Sequence, residues 1–242
     1  YAAGRTPNPD VMCNREIKFG AFLQRALERG ADFVATGHYV RLTATNSQQR
    51  AGGWKLEISR DRAKDQSYFL WTLTQEQLKH CLFPIGEYTK PEVREMAKKF
   101  GLSTAEKPDS QGICFIGEID MREFLKKYIS SKKGVVKTSS GKAIGEHDGL
   151  PFYTIGQRRG LEIGGGIPYY VAKKDFSANT LVVAEGPYDD MLFEKELTVS
   201  GENWISGALP KLPITCEARI RYRQLAQVCT LDRDQSGGGI RV

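Results

Sequence analysis

The chain is 242 residues long, which is enough for two or three compact domains that each bury a core. Its net charge of +6 is compatible with a polyanionic partner but does not require one, because many basic proteins bind nothing acidic. The five cysteines are widely scattered, which argues against a disulfide scaffold and favours a reducing compartment. No apolar run is long enough to span a membrane.

The two ends of the chain lead us to expect a fragment. The sequence begins without Met on a turn-rich stretch, and it ends shortly after a glycine run, where a strand is beginning. No charged segment followed by an apolar one resembles a secretory leader. We therefore expect a basic intracellular protein that is represented here in part.

In the first half of the chain, apolar periodicity predicts helices that alternate with short strands. The predicted buried face of the first helix consists of Ile17, Phe22, Leu23, Ala26 and Leu27. Strands are predicted at 33–35 and 54–59. Later helices are predicted to begin with capping boxes, at Thr74 with Gln77 and at Thr89 with Glu92. This alternation predicts an α/β domain over residues 1–118, in which ligands gather at the carboxyl ends of strands.

A second pattern, rich in short strands and glycine turns, follows residue 118. It begins with a helix over residues 121–128 and continues with a hairpin that turns near 177–179. Strict alternation from 214 to 223 predicts a strand with Arg219, Arg221 and Arg223 on its outer face. The sequence thus predicts a linking helix and a β-rich central domain over 119–195, and a further β domain over 196–242.

Two cysteines are candidate reactive thiols. Cys13 follows a rigid Pro-Asn-Pro-Asp run and precedes a helix start, where the helix dipole and Arg15 favour a thiolate. Cys114 stands between glycines in DSQGICFIGE, a loop that suits a sulfur that must move between partners. Each can instead be a small buried apolar residue, and judged from its own segment that interpretation is the stronger one for both, by a small margin for Cys13.

The remaining candidates are polar or charged. His38 after Gly37 is either a site residue or a cap at a strand end. The Lys64-Asp65-Gln66 segment would ordinarily be a solvated loop. The predicted row of three arginines suits phosphate groups. Neither the cysteines nor the histidines have the spacing of metal ligands, so no metal site is predicted.

Seven collinear stretches resemble one family, the tRNA-specific 2-thiouridylases. They cover nearly the whole chain and are GRTPNPDVMCNREIKF, ATGHYVR, KDQSYFL, FPIGEYTKPEVREMA, DSQGICFIGE, GEHDGLPFYTIGQRRGL and RIRYRQ. The resemblance implies the C-terminal portion of a PP-loop nucleotide-binding domain, followed by a small β-rich central domain and a partial C-terminal β-barrel. It also implies a chemistry, the ATP-dependent replacement of the C2 oxygen of the tRNA wobble uridine by sulfur from a cysteine persulfide.

The resemblance carries roles to individual residues. It implies that Cys114 bears the persulfide, that Cys13 is the partner nucleophile and that Asp10 transfers a proton. Asn8, Pro9 and Asp10 would hold the target base, and Gly37 would contact ATP. The residues that would contact tRNA are His38, Lys64, Asp65, Gln66, Arg221 and Tyr222.

The resemblance also implies cofactors, partners and a location. ATP with Mg²⁺, tRNA and a sulfur-relay donor protein are expected, for a monomeric cytoplasmic protein or, in a eukaryote, an organellar one. One feature departs from the family, because its SGGxDS phosphate loop is absent from these residues, and we expect it upstream of residue 1. Two alternatives stay open, a non-catalytic RNA-binding remnant and a different PP-loop adenylating ligase.

Overall fold

A computed structural model describes residues 1–45, 53–107, 120–164, 166–235 and 238–242. The chain forms two compact units. The first unit comprises Tyr1–Asn8 and Ile116–Glu196, and the second comprises Pro9–Phe115 and Leu197–Val242. None of the helices in the described ranges is long and apolar enough to cross a membrane.

The second unit begins with one continuous helical segment whose middle is wound as a π-helix. Its parts are α1 Pro9–Met12, the π-helix Cys13–Phe22 and α2 Leu23–Glu28. The predicted helix is present, but the predicted buried face is wrong at Ile17 and Phe22, which are 47% and 58% exposed. The buried side chains of the segment are Val11, Asn14, Phe19 and Leu23. The physical reason is that a π-helix repeats at i→i+5, which brings Asn14 and Phe19 to the same side.

Short strands and helices complete the first part of this unit. The strands are β1 Val34–Ala35, β2 Val40–Ala44, β3 Trp54–Ile58 and β4 Cys81–Leu82. The parallel pairing of β1 with β4 and the antiparallel hairpin of β2 with β3 confirm the predicted strands to within about one residue. The core consists of Phe19, Val40, Leu70, Leu73, Leu78 and Cys81.

Both predicted capping boxes are confirmed. Helix α3 Gln75–Leu78 starts where the Thr74 N–H donates to the Gln77 side chain at 3.0 Å. Helix α4 Lys90–Lys99 starts where the Thr89 N–H and hydroxyl both donate to Glu92, at 2.6 and 2.8 Å. These boxes satisfy backbone donors that the first helical turn leaves unpaired.

The first unit is a four-stranded sheet with a capped helix. Asp120 accepts hydrogen bonds from the N–H groups of Arg122 and Glu123, which fixes the start of α5 Met121–Lys126. The strands are β5 Gly134–Thr138, β6 Ala143–His147, β7 Tyr169–Asp175 and β8 Thr180–Glu185, in the order β6-β5-β8-β7. The hairpin of β7 and β8 confirms the turn predicted near 177–179. The core consists of Val136, Leu150, Tyr153, Leu161, Val171, Leu181 and Val183.

The second unit ends in a four-stranded sheet whose strand pairs are all antiparallel. Its strands are β9 Thr198–Val199, β10 Ile214–Ala218, β11 Gln227–Arg233 and β12 Ile240–Arg241, in the order β10-β11-β12-β9. The strand predicted to reach residue 223 instead ends at Ala218. The Gln224 side chain accepts hydrogen bonds from the N–H groups of Ile220 and Arg221, both at 3.1 Å, and so closes a turn. The predicted row of arginines on one strand face is therefore wrong.

The α/β class followed by β-rich parts is confirmed by this architecture. The sheets formed by the described residues are open, including the one over 197–242 where a partial barrel was predicted.

Candidate functional site

His38 lies in an aromatic pocket of the second unit rather than on its surface. It is 6% exposed, with its ring 5.7 Å from that of Phe19 and 6.2 Å from that of Phe83. Its Nδ1 shares a hydrogen bond of 2.9 Å with the Thr36 hydroxyl. Burial, with a smaller contribution from the Lys18 charge, lowers the pKa of His38 to about 4, so the imidazole is neutral at physiological pH.

Asp65 is a buried carboxylate that joins three parts of the second unit. It is 4% exposed and accepts hydrogen bonds from the Ser59 N–H at 2.9 Å and the Ser67 hydroxyl at 2.7 Å. The Arg219 guanidinium lies 3.9 Å from it. A charge at this depth needs such partners. The arrangement therefore fixes the end of β3, the segment 65–67 and the start of the turn after β10 against one another.

Gln66 holds the same segment beside the turn that carries Gly37 and His38. Its side chain accepts from the Tyr39 N–H at 3.0 Å, and its own N–H donates to the Tyr39 carbonyl at 2.9 Å. The Lys90 ammonium stands 5.8 Å from the centre of the Tyr39 ring. The half-buried Lys64 lies at the adjacent turn, where its N–H donates to the Asp61 carbonyl.

An aromatic cluster connects the 64–66 segment to the turn after β10. The Phe69 and Tyr222 rings are 4.5 Å apart, and the Tyr68 ring is 6.1 Å from that of Tyr222. The Tyr68 hydroxyl donates to the Ile220 carbonyl at 3.1 Å. The Arg223 guanidinium lies 5.3 Å from the Tyr222 ring centre. Clustered aromatic rings beside guanidinium groups form the kind of surface that holds nucleotides.

Asn14 connects this cluster to the helix that carries Cys13. It is 3% exposed and donates from Nδ2 to the Phe69 carbonyl at 3.2 Å. Its Oδ1 is buried and accepts no hydrogen bond from the part of the chain that the structure describes. The chain of contacts from Cys13 through Asn14 and Phe69 to Tyr222 brings together segments that are far apart in sequence.

The other predicted site residues are distributed as follows. Asp10 lies in the first turn of α1, and the half-buried Cys13 begins the π-helix that follows it. Pro9 opens the second unit, whereas Asn8 ends the first stretch of the first unit. Gly37 is exposed. Cys114 is outside the described residues.

Sequence reasoning missed the supporting residues of this site. Asn14 and Phe69 were not predicted to have roles, and Arg219 was predicted to face phosphate groups rather than to pair with Asp65. One signal was available, since Tyr68 and Phe69 follow Lys64-Asp65-Gln66 almost directly, and basic residues with adjacent aromatics are typical of RNA surfaces. The burial of Asp65 had no comparable signal.

In the first unit, the GEHDGLPFYTIGQRRGL stretch is held by Arg122. Its guanidinium donates to the Tyr153 hydroxyl at 3.0 Å and lies 3.6 Å from both Asp148 and Glu162. The buried His147 accepts at Nδ1 from the Gly149 N–H at 3.1 Å, which leaves Nε2 to donate to the Asn179 carbonyl. Burial lowers the pKa of His147. These contacts stabilise the conformation of the stretch.

Within the described ranges, no three His, Cys, Asp or Glu residues are grouped so that they could hold a metal ion.

Two family models match the chain in sequence order. The tRNA methyl transferase HUP domain matches residues 1–118, and the tRNA methyl transferase PRC-barrel domain matches residues 122–185. HUP domains include the PP-loop type, so the match agrees with the predicted nucleotide-binding class. The chain belongs to the family that these two domains define.

Individual relatives narrow the comparison. The chain is 49% identical to the tRNA-specific 2-thiouridylase MnmA of Legionella pneumophila strain Paris, over 96% of this chain and 64% of that protein. It is 48% identical to the protein of the same name from Paraburkholderia phymatum, over 95% of this chain and 60% of that protein. It is 50% identical to the Bacillus cytotoxicus protein of the same name, over 93% of this chain and 59% of that protein. The chain thus spans less than two thirds of these relatives.

Proposed function

We propose that this chain is part of an enzyme that replaces the C2 oxygen of a tRNA wobble uridine by sulfur. The observation that carries the proposal is the contact chain from the Cys13 helix through Asn14 and Phe69 to Tyr222. These contacts connect the helix that carries a candidate nucleophile to two candidate RNA-contacting segments. The similarity to proteins named tRNA-specific 2-thiouridylase supports the same assignment.

The reaction needs activation because the C2 carbonyl of uracil is urea-like and a poor electrophile. In the first step, O2 attacks the α-phosphorus of ATP and pyrophosphate leaves, which converts the oxygen into a good leaving group. N3 of the base loses its proton in this step, and we assign Asp10 to accept it. Gly37, which has no side chain and is exposed, allows close approach of the nucleotide.

Sulfur transfer then requires two thiols. The terminal sulfur of a Cys114 persulfide attacks C2, and AMP leaves with the former carbonyl oxygen. Cys13 attacks the Cys114 sulfur, so a Cys13–Cys114 disulfide forms, the outer sulfur stays on C2 as the thiocarbonyl, and N3 takes back its proton from Asp10. A thiol reductant must reopen the disulfide, and a sulfur donor must restore the persulfide before the next turnover.

The described residues suggest how tRNA is positioned. Arg221 and Tyr222 follow the end of β10, and the Tyr222 ring packs against that of Phe69 close to the 64–66 segment. Because His38 and Asp65 are buried, we assign them to holding these segments in place. Direct RNA contact is then the role of Lys64, Arg221 and the Tyr222 ring, through phosphates and stacked bases.

Variants of the two cysteines test the function. The protein translated from the complete reading frame is incubated with ATP, Mg²⁺, a small-molecule persulfide donor and unmodified tRNA, and 2-thiouridine is measured by mass spectrometry. Cys13→Ser and Cys114→Ser should each abolish thiolation and leave tRNA affinity within a few fold. Cys229→Ser is the matched control and should stay active.

Other outcomes would overturn the proposal. A protein that binds tRNA but yields no thiouridine with any sulfur donor would be an RNA-binding remnant. If ATP and tRNA give AMP without sulfur incorporation, and both cysteine variants behave like the parent protein, the chain belongs to a different adenylating ligase.

A further inference from the structure

Two cysteines outside the proposed mechanism lie opposite each other on neighbouring strands of the C-terminal sheet. Cys216 of β10 is the direct antiparallel partner of Cys229 in β11. Their Sγ atoms are 3.8 Å apart, and both thiols are free. Sulfur atoms at this distance are in van der Waals contact, so no backbone segment needs to travel to join them.

Both thiols can be reached from solvent. Each is half-buried, and β10 is an edge strand of the sheet. Cys81 differs, because it is 2% exposed, donates to the Gln77 carbonyl and has a pKa raised to about 12 by burial. An inert buried thiol and an accessible pair therefore occur in the same unit.

We propose that Cys216 and Cys229 form a modification site, a dithiol that small-molecule disulfides convert into a cross-strand disulfide. One thiolate attacks a sulfur of the reagent RSSR, which gives a mixed disulfide and releases one RS⁻. The second thiolate then attacks the protein sulfur of that mixed disulfide and releases the second RS⁻. In total, two protein thiols lose two protons and two electrons, and RSSR is reduced to two RSH.

The strand register supports this geometry. Directly opposed residues of antiparallel strands have Cα atoms about 4.5 or 5.5 Å apart. Both values are within the range of about 4.4–6.8 Å that disulfides span. Bringing the sulfurs from contact to bonding distance then requires side-chain rotation rather than strand movement.

The disulfide would also constrain a segment of interest. The cysteines are 13 positions apart, and the residues between them include Arg221, Tyr222 and the turn closed by Gln224. A crosslink at the base of this hairpin reduces the conformations open to the turn. If the proposed function is correct, oxidation restricts an RNA-contacting segment; the modification itself does not depend on that function.

The test treats the unmodified chain with oxidised glutathione and maps disulfides by peptide mass spectrometry after trapping with an alkylating agent. The expected result is a linked peptide pair joining positions 216 and 229, with loss of alkylation at both. Cys81 should remain a thiol under the same conditions. Amide hydrogen exchange over residues 219–226 should slow by about tenfold in the oxidised chain and recover on reduction.

Single variants supply the matched controls. Cys216→Ser and Cys229→Ser should each leave one thiol that accumulates as a stable glutathione adduct. The proposal is overturned if the unmodified chain carries separate adducts at both positions, or if both thiols remain alkylatable while the single variants form adducts. A Cys13–Cys114 linkage would map to different peptides, so the proposed function and this site can fail independently.

Discussion

The burial of His38 makes the stability of the second unit depend on pH in the acid range. Because its pKa falls to about 4, the folded unit binds fewer protons between pH 6.5 and 4 than the unfolded chain, whose histidine titrates near pH 6.5. Its contribution to stability is therefore complete above pH 6.5 and is lost as the pH falls through 4. Between these two pH values, the contribution of His38 to the free energy of unfolding changes by about 3 kcal/mol.

His38→Asn should reduce this pH dependence. We expect the variant to be less stable at pH 7, because it loses ring contacts with Phe19 and Phe83, but to lose less further stability between pH 7 and 4.5 than the parent chain does. All three tryptophans, Trp54, Trp71 and Trp204, belong to the second unit, so urea unfolding followed by tryptophan fluorescence measures that unit. Equal acid losses in parent and variant would show that His38 is not the titrating group.

For single residues, the sequence predicted local patterns but not burial that depends on distant residues. The capping boxes at Thr74 and Thr89 depend on residues three positions apart, and both were predicted. Whether His38 is buried depends on Phe19 and Phe83, which come from distant parts of the sequence. The burial of Asp65 likewise depends on Arg219, 154 positions further along the chain.

Among the secondary-structure elements, the π-helix Cys13–Phe22 makes an unusual demand on Gly20. A Cβ atom added there would lie 2.6 Å from the Arg15 carbonyl oxygen, five residues earlier. Gly20→Ala should therefore destabilise the second unit by about 1–3 kcal/mol, as overpacking does. In an ordinary α-helix the same change would stabilise by about 1 kcal/mol, so the sign of the effect distinguishes the two windings.

Ala21→Gly is the control for this measurement. Ala21 is exposed in the same helix, and its replacement should lower stability by about 0.5–1 kcal/mol in either winding. The comparison uses tryptophan-detected unfolding of both variants. A Gly20→Ala protein that is more stable than the parent would mean that the segment is an α-helix in solution.

The π-helix and the end of β10 mark the limits of pattern-based prediction. Apolar spacing at i, i+3 and i+4 predicted the existence of the first helix, but it assumed an α-helical repeat and so misplaced Ile17 and Phe22. Alternation continued through residue 223 although the strand ends at Ala218. Alternation describes side chains, whereas the strand ends because Gln224 caps backbone N–H groups of the turn.

For the molecule as a whole, the net charge of +6 is compatible with RNA binding but does not require it. Replacing Arg221, which is predicted to contact tRNA, tests whether the chain binds RNA. Arg221→Ala should weaken tRNA binding and reduce the slope of log affinity against log salt by about 0.7–0.9, the value of one phosphate contact. Affinity is measured by filter binding at several salt concentrations. The effect should be the same for tRNAs with different anticodons.

Arg25→Ala is the matched control, because Arg25 is an exposed helix residue that pairs with Glu28 on the same helix. Its replacement should leave both affinity and slope unchanged. If Arg221→Ala also leaves the slope unchanged, the turn after β10 does not contact phosphates, and the tRNA surface must be elsewhere.

We propose that sulfur travels to tRNA on Cys114, and this proposal is tested by locating the persulfide before turnover. The protein from the complete reading frame is loaded with a small-molecule persulfide donor, freed of excess donor and trapped by alkylation, and each cysteine peptide is analysed for an additional sulfur. We predict the persulfide on Cys114, and we predict that it disappears when ATP and tRNA are added, as 2-thiouridine appears in equal amount. A persulfide found only on Cys81, Cys216 or Cys229, or one on Cys114 that persists while 2-thiouridine forms, would contradict the mechanism.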